Sequence, residues 1–207
     1  MAKRKGIMGC SDIPYAKRIK MQKMARIVQN REQAAKAAMF CTCKALHELE
    51  GIGYKRLVKF ALRFKDINDD FYEDPIVGMA HAKRRMEQMG MPISGELYTV
   101  PGIDKLDTEL KNHALQAAQV ALICSAIAMN DEFRFGKERQ ERISRRVDEL
   151  TGRYAREGMG FLLEEMEKIG FLIVDGEARA WLDDEGNPIT QRKAKKYFGG
   201  GEISVHT

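Results

Sequence analysis

Long apolar runs are missing from this chain. No stretch approaches the roughly 20 apolar residues that a membrane-crossing helix needs, so the sequence predicts no membrane partner. Proline is scarce, five residues in 207, while 44% of residues are hydrophobic and 31% charged. That profile excludes a collagen-like or disordered chain and predicts a helix-rich globular one. Cysteine is limited to positions 10, 41, 43 and 124. Their spacing fits no zinc site, which predicts free thiols in a reducing compartment. The basic start (Lys3, Arg4, Lys5) is followed by no apolar stretch of signal-peptide length, which predicts a cytoplasmic protein. His47, His81, His113 and His206 show no pairing with a nucleophile, so nothing points to an acyl-transfer triad. The sequence predicts neither an enzyme nor a bound cofactor or metal.

What is present is uneven charge. Residues 1–30 hold eight Lys and Arg against one acid, a net +7, so the other 177 residues sum to −2 within the overall +5. Lys3, Arg4, Lys5, Lys17, Arg18, Lys20, Lys23 and Arg26 make up this basic end, and Arg192, Lys193, Lys195 and Lys196 form a second knot. Positive charge concentrated at a chain end suits contact with phosphates. The plainer alternative is a solvated helix face that keeps the protein soluble.

An internal repeat organises the rest. At an offset of 83, Gln33-Ala34-Ala35 falls on Gln116-Ala117-Ala118, and Ala38, Cys41 and Ala45 fall on Ala121, Cys124 and Ala128. Gly53 and Arg56 likewise fall on Gly136 and Arg139. After a slip of three residues, Gly78-Met79 meets Gly158-Met159, Met86-Glu87 meets Met166-Glu167 and Gly90 meets Gly170. This order of matches predicts a tandem duplication.

Each unit reads alike: a long helix (about 15–49 and 104–132), a glycine turn, a second helix, and a short helix closed by Gly90 or Gly170. Leu115, Ala118, Leu122, Ala126 and Met129 predict one apolar stripe on the long helix of the second unit. Beyond each closing glycine the pattern turns to strands, around Ser94-Gly95 in the first unit and as a hairpin about Asp175-Gly176 in the second. The expected fold is mainly α with minor β, two duplicated helical units packed pseudosymmetrically, each followed by a short β element. The expected divisions are a basic arm (1–14), repeat 1 (15–100), repeat 2 (101–183), and a loop, basic helix and tail (184–207). Asp66, Asp69, Asp70, Glu73 and Asp74 share one helix face, while arginines stand at 153 and 156 in the other unit. That pairing predicts a charge-matched interface between the units.

Three candidate sites stand out. Leu46 to Leu57, through Gly51-Ile52-Gly53, resembles a helix-hairpin-helix element. In that family a Gly-apolar-Gly turn offers backbone N–H groups to a phosphate, and the resemblance places Lys55 and Arg56 beside it, with Arg139 their counterpart. A tight interhelical turn would need the same glycines. The Asp66–Asp74 face could hold a divalent cation, as in helical nucleotide pyrophosphohydrolases, but no matching second motif accompanies it, and solvated or interface acids are the better explanation. Cys41, Cys43 and His47 cannot readily share an ion, because helical positions i and i+2 point apart, and they predict core thiols.

Asn130-Asp131-Glu132-Phe133-Arg134-Phe135-Gly136-Lys137-Glu138-Arg139 resembles a pattern found in small, mostly uncharacterised phage and prophage proteins of Gram-positive bacteria: an apolar helix, then Asp-Glu-Phe-Gly-Phe-Gly-Lys-x-Arg, then a helix. Arg134 stands where that pattern has its first glycine, and Leu46 to Arg56 matches more loosely. The resemblance implies a phage origin and, by association, a protein that binds host machinery or counters a defence system such as a CRISPR nuclease. The combined expectation is a non-enzymatic binder of nucleic acid or of a host nucleoprotein complex. The alternatives are a protein-interaction module whose apolar first helix homo-oligomerises, the basic residues merely solubilising it, and a metal-dependent nucleotide hydrolase.

Overall fold

The computed structural model describes residues 15–91, 108–183, 185, 187–191 and 193. Among them run six helices and a hairpin: α1 (Tyr15–Glu50), α2 (Tyr54–Glu73), α3 (Pro75–Gln88), α4 (Thr108–Phe133), α5 (Lys137–Glu157), α6 (Met159–Ile169), β1 (Leu172–Val174) and β2 (Glu177–Arg179). The fold is mainly α, with the small antiparallel sheet the second unit predicts. No described helix is long and apolar enough to cross a membrane.

The two long helices lie side by side and parallel. Lys23 of α1 pairs with Glu109 near the start of α4, and Thr42 Oγ1 meets Ser125 Oγ at 3.4 Å further along. Both hydroxyls also bond back to the carbonyl four residues earlier, Ala38 and Ala121. Small buried residues flank this contact, Ala38, Cys41 and Ala45 on α1 and Ala121, Cys124 and Ala128 on α4. Such residues let two helix backbones approach closely. The shorter helices then cross over: α2 and α3 pack on α4, while α5 and α6 pack on α1. One main core therefore draws on both halves, from Leu46, Leu57 and Phe60 to Ile143, Leu162 and Met166.

Local geometry repeats with the offset. Gly51 (φ 62°) and Arg134 (φ 57°) are left-handed, Ile52 and Phe135 are buried, and Gly53 and Gly136 are extended helix starts. Gly90 and Gly170 both end their helices left-handed, with the following N–H bonded back to Met86 O at 2.9 Å and to Met166 O at 3.0 Å. That double closure is the glycine C-cap the sequence predicts.

Two expectations are corrected. The acids of α2 do not face Arg153, which bonds Glu157 and lies over the Phe161 ring. The ion pairs between the halves run elsewhere: Arg63 and Arg85 to Asp131, Arg146 to Glu48, Arg142 to Glu50 and Lys44 to Glu165. The apolar stripe of α4 is also too narrow, since Ile123 to Met129 are all buried in succession. Helices α1, α2 and α3 surround α4, so burial there outruns a single face. The described part of α4 begins at Thr108, and residues 104–107 lie outside the described residues. The β element about Ser94-Gly95 falls outside the described residues, as does most of the last basic helix, where Gln191 and Lys193 are helical. The hairpin turns at Asp175-Gly176, both with positive φ, and pairs Val174 with Glu177. That is the two-residue turn an Asp-Gly pair favours.

Candidate nucleic-acid interface

The basic residues separate into two places. Lys3, Arg4 and Lys5 lie outside the described residues. Lys17, Arg18, Lys20, Lys23 and Arg26 sit on the first half of α1, four of them exposed and Lys23 half-buried. At about 100° per residue they run around the helix rather than along one face. From Arg26 to the end of α1 is about 36 Å. The structure therefore does not bring this group to Lys55, Arg56 and Arg139, which lie at the far end.

That far end is where α1 and α4 finish together. Each is followed by a three-residue turn and a helix start, so the N-termini of α2 and α5 open on the same side. Neither start has a side-chain cap, and both Gly53 and Gly136 face open space. The first N–H groups of a helix lack internal acceptors, and the helix dipole adds partial positive charge there. Lys55 and Arg56 occupy the first turn of α2, Lys137 and Arg139 that of α5, and Arg134 lies in the turn itself; all five are exposed.

Aromatic rings carry the arginines. Phe133 and Phe135 are 5.3 Å apart, Arg56 lies 4.9 Å from the Phe133 centroid, and Arg139 lies 5.1 Å from that of Phe135. Phe60 supports the group from below, stacked on Phe133 at 6.2 Å. Arg139 also approaches Glu50, whose carboxylate bonds Arg142. Arg56 and Arg139 thus each reach across to the other half, at positions 133 and 50, which correspond under the offset. These contacts hold the guanidinium planes in place while leaving their outer edges to solvent. Sequence reasoning missed Lys137 and Arg134. The offset sets them on Tyr54 and Gly51, so only the parallel packing of α1 and α4, which brings the two turns to one end, places them beside Lys55 and Arg56.

The turn carbonyls are satisfied differently. Ile52 O lies 3.0 Å from His47 Nδ1, whereas Phe135 O accepts from Gln140 Nε2 at 3.0 Å. Gln140 is fully buried at the position equivalent to Leu57.

The remaining candidates lie away from this end. Cys41, Cys43 and Cys124 are buried and free. Burial pushes the Cys41 thiol up to about 11 and that of Cys124 to about 12, so neither is a thiolate at neutral pH. Asp66, Asp69, Asp70, Glu73 and Asp74 are exposed, and Asp74 caps α3 by accepting from Ile76 and Val77 N–H. Among the described residues no three His, Cys, Asp or Glu side chains converge as a metal site. Comparison with protein families, with curated proteins and with solved structures finds no match to this chain.

Proposed function

We propose that this protein is a non-enzymatic binder of nucleic acid, and that it grips the phosphate backbone at the end where α2 and α5 begin. The observation that carries this reading is the pair of uncapped, glycine-started helices side by side, each with two cations in its first turn. Backbone N–H groups at a helix start suit a phosphate, and Lys55, Arg56, Lys137 and Arg139 supply charge beside each one. Two such starts would hold two phosphates and fix the register of a strand without reading its bases. The resemblance to phage proteins adds a narrower form of the proposal, in which the nucleic acid belongs to a host nucleoprotein complex such as a CRISPR nuclease and the protein inhibits it.

Fluorescence anisotropy with labelled single- and double-stranded DNA and RNA tests the reading. Contact with two phosphates of duplex DNA predicts roughly a 12-fold loss of affinity between 50 and 200 mM salt. Replacing Lys55 and Lys137 by Glu should lower affinity at least tenfold and flatten that salt slope. Absence of binding at about 50 mM salt would overturn the proposal.

A further inference from the structure

The first half of α1 extends past the core with an unusual surface. Met21, Met24 and Val28 are all exposed, and their spacing of three and four residues lays them along one face. Residues 15–31 also hold six Lys and Arg and no acid. A solvated, solubilising helix has no use for a stripe of large apolar side chains. Exposed apolar surface of this kind, rimmed by charge, marks an interface.

The complement of this surface is on the same molecule. The Arg31 guanidinium lies 3.4 Å from the Tyr72 ring centroid, which sets the end of α2 against α1 just below Val28. That end carries exposed Asp69, Asp70 and Glu73. The start of α3 next to it exposes Ile76 (84%) and Val77 (48%). An apolar, cationic helix therefore stands beside an apolar, anionic corner that it does not itself cover.

We propose that the protein forms a two-fold dimer in which the first halves of two α1 helices lie antiparallel, crossing near Met24, so that the cationic end of each reaches the acidic α2–α3 corner of the other copy. Antiparallel pairing about residue 24 sets 24−n of one copy level with 24+n of the other. Lys17, Arg18 and Lys20 of one copy then lie level with residues 31, 30 and 28 of the second copy, beside its Asp69, Asp70 and Glu73. Met24 then meets Met24 of the second copy at the crossing, with the exposed Met21 and Val28 on either side of that contact. A helix pair this short buries less than the roughly 1,200 Å² of a stable interface. The two corners, with Ile76 and Val77, supply the rest. A two-fold arrangement also satisfies both corners at once, as an isologous interface requires. It leaves the end with the two glycine turns free, because that end lies at the other extremity of α1.

Sedimentation equilibrium of the full chain tests this. A dimer is expected at about 50 μM protein, and Met24→Glu should weaken it at least tenfold, or about 1.4 kcal/mol, with unchanged helical circular dichroism. The triple reversal Asp69→Lys, Asp70→Lys, Glu73→Lys should weaken it similarly; Asp74 is left in place because it caps α3. Adding Lys17→Glu, Arg18→Glu and Lys20→Glu to that triple should restore dimerisation to within a few-fold of wild type. A monomeric wild type, a dimer indifferent to Met24→Glu, or a charge swap that fails to restore association would each overturn the proposal.

Discussion

The halves α1–α3 and α4–α6 share a frame and differ in how they fill it. Both place a left-handed residue, a buried apolar residue and an extended glycine between their first two helices. Both send an arginine across to an acid of the other half at 2.8 Å, Arg63 to Asp131 and Arg146 to Glu48, an exchange that follows the offset of 83. The filling diverges around the second helix. Beside α2 stand Phe40, Tyr54, Phe60 and Phe64, and the segment around the hairpin closes over Tyr54. Tyr54 packs edge-on against Phe171 and accepts from Trp181 N–H, while Lys36 holds Glu177. At the equivalent places beside α5 stand Ile123, Lys137, Ile143 and Val147, and there a groove of about 330 Å³ remains, lined also by Met86 and Met129. Backbone turns and interhalf ion pairs are thus common to both halves, and side-chain volume is what separates them.

The most severe break in this comparison is at Gly78. A Cβ there would lie 2.8 Å from Phe71 Cα and 2.9 Å from Phe71 O. Gly78→Ala should cost about 3 kcal/mol even after the helix-propensity gain, read as a fall in urea midpoint. Its partner in sequence, Gly158, has open space but a φ of 80° and ψ of −173°. Ala is strained at that backbone whatever the space, so the same substitution there costs about 2 kcal/mol.

Next come the reciprocal acids. Asp131 takes bonds from both Arg63 and Arg85 and is part-buried, whereas Glu48 is more exposed. Asp131→Asn should cost about 2 kcal/mol and Glu48→Gln under about 1. Burial would raise the Asp131 carboxyl, but the two arginines more than offset it and hold its pKa below the usual 3.8. A lowered folded pKa stabilises above the unfolded value and is lost as pH falls through the folded one. The difference between wild type and Asp131→Asn should therefore be fully present above about pH 5 and shrink as the solution is acidified below pH 4, by chemical denaturation across that range.

Exchanging the turn supports sharpens the comparison. Gln140→Leu, which copies Leu57, leaves Phe135 O without its donor and should cost about 1.5 kcal/mol. Asn130→His stands where His47 does in the other half and should recover most of that loss in the double variant. The smallest effect is a gain. Arg134 holds a left-handed backbone that Gly51 adopts at no steric cost, so Arg134→Gly should raise stability by about 0.5 kcal/mol, seen as a thermal midpoint a few degrees higher.

Periodicity and punctuation revealed most of this architecture. Apolar spacing marked the helices, Gly90 and Gly170 marked their ends, and Asp175-Gly176 marked the hairpin, because each of these depends on near neighbours in the chain. The α2 acids were misassigned because an offset aligns positions without saying which helices meet; α2 crosses to α4, not to α5. The ion pairs were equally invisible for that reason, although Arg63/Arg146 and Glu48/Asp131 lie at the offset. At the candidate interface, the glycine turn and Lys55, Arg56 and Arg139 were legible. The convergence of both turns required the parallel packing of α1 and α4, which no local pattern encodes. The first half of α1 was legible as charge and, in one alternative, as an apolar oligomerising helix, but which of its apolar side chains stand exposed, Met21, Met24 and Val28, was not.

The most direct test of the paired-turn account is oligonucleotide binding by a chain carrying Gly53→Asp and Gly136→Asp, with thermal unfolding measured alongside. Both glycines have negative φ and open space, and Asp is a good helix N-cap. The fold should therefore be kept or slightly strengthened. The account predicts an unchanged or higher thermal midpoint together with at least a tenfold loss of affinity at about 50 mM salt, because each carboxylate takes the N–H groups a phosphate needs. Wild-type affinity in that stably folded variant would contradict it.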